Sequence, residues 1–116
     1  MKRIATTRLG LLQGSPLLFS DFADGGAMWT GTGQRDRRVP VRFSEPFAAA
    51  PAVTVGISLW DVDTHGILRA EIRAEAVTAE GFEIVFSTWG DSRVARIRAD
   101  WLAIGPVDDD DLWDTD

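Results

Sequence analysis

The chain has 116 residues, 45% of them hydrophobic, which suffices for one domain whose core needs no covalent staple. It contains no cysteine, so disulfides and thiolate chemistry are excluded. The net charge of −6 sits entirely in residues 106–116, which carry six acids and no base; residues 1–105 hold 12 acids and 12 bases and offer no basic field to nucleic acid.

Along the chain, Lys2, Arg3 and Arg8 precede the apolar stretches Leu9–Leu12 and Leu17–Phe19, which Gln13, Gly14, Ser15 and Pro16 interrupt. The stretch is too broken for the continuous run of roughly 7–15 residues of a secretory signal. No run approaches the ~20 apolar residues of a membrane-spanning helix, so membrane insertion is not expected. A short strand fits Arg8–Gln13. Residues 21–38, rich in Gly, Asp and Arg, read as an ordered loop region. A strand over Val39–Phe43 ends before Pro46. From there period-2 alternation dominates. Val53, Val55, Ile57 and Leu59 share one face of a strand ending at Trp60. Leu68, Ala70, Ile72, Ala74 and Ala76 alternate with Arg69, Glu71, Arg73 and Glu75. Phe82, Ile84, Phe86 and Thr88 alternate with Glu83, Val85, Ser87 and Trp89. Ala95, Ile97, Ala99, Trp101 and Ala103 alternate with Arg96, Arg98 and Asp100. Turn residues separate these runs at Asp61–Gly66, Thr78–Gly81 and Gly90–Arg93. The fold class expected is therefore all-β, a six-stranded antiparallel sandwich. Residues 39–105 form its core. Residues 1–38 either complete the same domain or anchor an assembly. Residues 106–116 are a solvated acidic tail in which Leu112 and Trp113 are able to dock on a neighbour.

One hairpin register follows from the pattern. Bringing both apolar faces to the same side of the sheet requires residue numbers that sum to 158. This sets Ala76 opposite Phe82, Ala74 opposite Ile84, Ile72 opposite Phe86 and Arg69 opposite Trp89 on the outer face. An Arg over an indole is either a surface cation–π pair or a sugar-binding arrangement, with a ring face for pyranose C–H groups and a forked donor for hydroxyls.

Val41-Arg42-Phe43, Phe47, Pro51-Ala52-Val53, Leu68-Arg69, Gly81-Phe82, Thr88-Trp89-Gly90-Asp91-Ser92 and Asp100-Trp101, in this order over about 65 residues, resemble the H-type lectin domain. This is the family of invertebrate agglutinins and of discoidin C-terminal domains. The resemblance implies a trimer, sometimes stacked into a hexamer. Its sugar sites lie between protomers and often take galactose or N-acetylgalactosamine without a metal or other cofactor. Carried over residue by residue, the strand Arg is Arg69 and the Trp is Trp89. The loop Asp is Asp36, contributed by a neighbouring chain, and the backbone of Gly33 and Arg35 flanks it. Gly90 and Ala95 stand where N-acetylgalactosamine-binding agglutinins have His and Tyr, which makes the implied site shallower.

Other constellations carry less. Asp61-Val62-Asp63-Thr64-His65-Gly66 opens like a calcium loop, but its twelfth position is Ile72 within a strand, so it reads as a turn. His65 has no nucleophile in a recognisable context. Acids alternating with arginines on strand faces read as cross-strand pairs rather than as a hydrolytic carboxylate pair. The function expected is non-catalytic binding of surface glycans, with Trp89 stacking, Arg69 donating to hydroxyls or an acidic group, and Asp36 accepting, outside the cell or on a released particle. The alternative is a structural spike or decoration of a phage-like particle, anchored through Met1–Phe22 and attaching to surface polysaccharide.

Overall fold

The computed structural model describes residues 1–108; Leu112 and Trp113 lie outside the described residues. Two antiparallel sheets pack face to face. Sheet A holds β1 (Leu9–Gly14), β2 (Leu17–Ser20), β4 (Ala52–Val62) and β7 (Val94–Pro106); sheet B holds β3 (Arg35–Arg42), β5 (Ala70–Glu75) and β6 (Gly81–Thr88). In sheet A, β7 is central. β4 pairs along one side of it, and β1 and β2 pair end to end along the other. Ser15 and Pro16 break that edge, and the ladder shifts register between Leu17 and Phe19. With β1 and β2 counted as one interrupted edge, the architecture is three strands on three. Leu9–Ser20, within the Met1–Phe22 segment expected either to complete the domain or to anchor an assembly, pairs with β7 along this edge of the sandwich.

In sheet B the order is β3-β6-β5. Alternation sends Phe82, Ile84 and Phe86 of β6 inward, where they are nearly inaccessible, against Ile97, Ala99 and Ala103 of β7. Phe43 and Phe47 meet edge to face at 5.1 Å, and Phe82 meets Trp101 likewise at 5.4 Å, closing one end of the core. The β5–β6 register follows the 158 rule from Ala70↔Thr88 to Glu75↔Glu83. The expected Ala76–Phe82 pair does not form. Ala76 takes φ +53°, a left-handed turn conformation that ends the strand. Leu59 is a second departure: a bulge after Ile57 sets it opposite outward-facing Arg98, off the face shared by Val53, Val55 and Ile57. The segment read as loop, residues 21–38, contains a single helical turn α1 (Ala27–Thr30) and the first half of β3. Met28 of α1 plugs the core at 2% exposure, its N–H donating to Asp21 Oδ2 at 3.0 Å.

Candidate functional site

The outward face of sheet B is a lattice of opposite charges. Arg38 of β3 pairs with Glu75 and Glu83, both at 3.1 Å, and Arg73 of β5 pairs with Glu71 at 2.6 Å and with Glu75. The bonds from Arg38, then Arg73, hold Glu75 below the usual carboxylate range, and Arg38 is raised by its bonds to Glu75 and Glu83. The Arg38 pairs are cross-strand, as the alternation predicted, whereas Arg73 pairs along its own strand with the residues two positions either side. Val85 and Ser87 of β6 are buried beneath them.

At one end of this face the charge pairing stops. The rows Asp36–Ser87–Glu71 and Arg35–Thr88–Ala70 are paired across β3, β6 and β5. One step beyond the last row, Gln34, Trp89 and Arg69 leave the three strands at the same end of the sheet. Trp89 is half-buried, while Gln34 and Arg69 are exposed. No carboxylate ion-pairs with Arg69 among the described residues. Asp36 accepts from Gln34 Nε2 at 2.7 Å. A hydrogen bond from Ser87, then the one from Gln34, depresses its pKa, so it is an ionised acceptor at neutral pH. The structure thus brings Asp36, Gln34, Trp89 and Arg69 of one chain to one end of one sheet.

The turns around this cluster are built on glycine. Gly33 and Gly90 have φ +75° and +71°, conformations that favour glycine, and a Cβ at either would meet nothing within 4 Å. Gly33 N–H donates to Gly90 C=O at 2.9 Å, joining the loop before β3 to the turn after β6. Arg35 completes the joint. It is 8% exposed, and its guanidinium donates to the carbonyls of Gly33 (3.0 Å), Ala27 (3.3 Å), Met28 (3.2 Å) and Gly90 (3.2 Å). Burial lowers its pKa. The side chain of Arg35 is therefore turned into the scaffold, and its main chain lies in the β3–β6 ladder opposite Thr88.

The Arg–Trp stack predicted from register forms elsewhere. Among the described residues the guanidinium lying over an indole is Arg93 over Trp29, at 4.5 Å, with Arg93 Nε donating to Trp29 C=O at 3.0 Å. Arg69 does not lie over Trp89, because the β5–β6 ladder ends at Ala70. The main chain of residue 69 binds side chains of the 88–92 turn instead: Thr88 Oγ1 donates to its carbonyl at 2.6 Å, and its N–H donates to Ser92 Oγ at 2.8 Å. Trp29 and Phe22, in edge contact at 4.9 Å, add a partly exposed aromatic pair at this end of the molecule. Sequence reasoning gave no role in the site to Gln34, Ser92, Trp29 or Arg93. Only the Gln34–Asp36 spacing carried a signal, since residues two apart share a strand face. In the neighbouring loop, Asp63 Oδ1 accepts from His65 N–H at 2.9 Å and Asp61 pairs with Arg96 at 2.9 Å, so both carboxylates serve the turn and its edge.

Comparison with known proteins points to one family. The model of the H-type lectin domain matches residues 38–104. A discoidin-1 polypeptide of Dictyostelium discoideum is 36% identical over 81 residues, 69% of this chain and 32% of that protein. The solved structure of wild-type discoidin II from the same organism superposes with a TM-score of 0.75 at 26% identity, covering 89% of this chain and 39% of the other. The chain thus spans about a third of the discoidins it matches. A protein of Fuscovulum blasticum, "ATP synthase subunits region ORF 7", is 60% identical over 106 residues, 91% of this chain and 92% of that one; its name states no activity.

Proposed function

The chain belongs to the H-type lectin domain family, and on that premise we propose that it binds surface glycans without catalysis, at the end of sheet B where Trp89, Arg69, Gln34 and Asp36 converge. That convergence is the observation that carries the reading. An indole offers its face to pyranose C–H groups, a guanidinium with no ion pair among the described residues donates to hydroxyls or to an acidic substituent, and an ionised carboxylate accepts. Gly33 and Gly90 leave room beside them. Galactose- and N-acetylgalactosamine-type sugars are the first ligands to try, with bacterial surface polysaccharide beside them.

One shallow site of this kind binds at roughly millimolar strength, near −4 kcal/mol. Useful affinity then comes from several sites on one rigid particle, which raises avidity by roughly 10²–10⁴. Self-association as a trimer or hexamer supplies that multiplicity. What supports it on the outward side of sheet A is a small apolar patch, where Leu9 and Leu11 are 59% and 54% exposed with half-buried Ile104 opposite Leu11 and half-buried Leu102 one outward row on. Exposed apolar patches are what an interface between copies covers.

The test is a glycan array on the full chain, with its solution mass measured in parallel. Trp89→Ala and Arg69→Ala should each weaken binding about tenfold while melting as the wild type does. Binding that survives both substitutions in folded protein would move the site elsewhere.

A further inference from the structure

We propose that Thr88 and Ser92 are positioning residues of this site: their buried hydroxyls grip the main chain of Arg69 from both sides and so fix where its guanidinium emerges relative to Trp89. The proposal rests on the carbohydrate reading of the cluster and adds to it the device that orders its cation.

Arg69 stands one residue outside β5, so no ladder partner fixes it. The stretch before it, Thr64–Leu68, is exposed throughout. A residue so placed would sample many orientations, and ordering it on binding would oppose affinity. Two side chains remove that freedom. Thr88 Oγ1 donates to Arg69 C=O at 2.6 Å, and Ser92 Oγ accepts from Arg69 N–H at 2.8 Å while donating to Ile67 C=O at 3.0 Å. Thr88 is inaccessible and Ser92 is 2% exposed. A shift of residues 67–69 would leave both hydroxyls unpaired away from water, so the grip opposes displacement in either direction. Both hydroxyls belong to the Thr88–Ser92 turn, the segment that also presents Trp89 and Gly90. The cation and the indole are thereby referred to one rigid piece of backbone, and the Arg35 clamp on Gly90 C=O ties that piece to the loop carrying Gln34. A binding group held by side chains that do not touch the ligand is the arrangement that pre-organised sites require.

The experiment is a double-mutant cycle on the full chain. Thr88→Val and Ser92→Ala are each made in the wild type and in Arg69→Ala, and binding is measured to immobilised galactose-terminated and N-acetylgalactosamine-terminated oligosaccharides and to bacterial capsular polysaccharide. In the wild type each should weaken binding about tenfold; in the Arg69→Ala background neither should weaken it further. Thr88→Ser and Ser92→Thr, which keep the hydroxyls, should restore binding. Exchange of the Arg69 amide should accelerate in Ser92→Ala while amides of β6 keep their protection, a readout independent of ligand and of any loss of global stability. Equal losses in both backgrounds, or unchanged affinity in folded single variants, overturn the proposal and leave the carbohydrate reading standing. A wild type that binds none of the three probes overturns both.

Discussion

Replacing Arg35 with methionine tests whether this residue touches ligand or holds the scaffold. Methionine keeps most of the apolar stem and removes the guanidinium, which donates to four carbonyls. Three of these belong to the exposed residues Ala27, Gly33 and Gly90; the Ala27 and Gly90 carbonyls still accept from Gly31 and Gly33 N–H, and water reaches the Gly33 carbonyl, so their net cost is small. The fourth belongs to Met28, 2% exposed, whose carbonyl is left without that donor. One buried unsatisfied carbonyl costs about 1–3 kcal/mol, and the three partly compensated bonds bring the total to about 2–4 kcal/mol. For a domain of this size that lowers the melting temperature by about 10 °C. Thermal and urea unfolding followed by circular dichroism read the change. A residue that contacted sugar without holding the fold would behave oppositely, losing affinity at an unchanged melting temperature. A folded Arg35→Met variant melting within about 2 °C of the wild type would refute the scaffold assignment.

Three further outcomes follow from local geometry. In Gly81→Ala the new Cβ would stand 2.2 Å from Val41 C=O, so β3 and β6 must separate at their shared end; a loss of about 1–3 kcal/mol in urea unfolding is expected, and a neutral result would refute the close approach. Ala76→Gly should stabilise by about 0.5–1 kcal/mol, because glycine takes φ +53° without the Cβ clash; a fall in stability would show that the residue is not in this conformation. Asp36 should titrate by NMR below the ordinary value of 3.8, moving up toward it in Ser87→Ala. Its folded pKa is depressed, so its contribution to stability is present above the unfolded value and is lost as pH falls through the folded one. A wild-type Asp36 titrating at or above 3.8 would contradict the Ser87 and Gln34 hydrogen bonds.

Periodicity alone placed the later strands and, Leu59 and Ala76 excepted, their faces, since a period of two is a property of the strand itself. It also set the β5–β6 register, because one apolar face must meet another on the same side of the sheet. The ordered motif from Val41 to Trp101 carried the family, and with it Trp89 and Arg69. Local pattern is silent about encounters between distant segments. Nothing in Leu9–Ser20 says that two short runs share one edge of β7, nor in Ser58 that a bulge turns Leu59 outward. Arg35 reads from the sequence as a loop residue whose backbone flanks the site, and only the packed structure surrounds its side chain with carbonyls from α1, the Gly33 loop and the Gly90 turn. For the same reason the Arg–Trp stack lies at Arg93 and Trp29 rather than at Arg69 and Trp89. Pairing rules fix rows within a ladder. Where the ladder ends, the hydroxyls of Thr88 and Ser92, brought there by tertiary packing, decide where Arg69 stands.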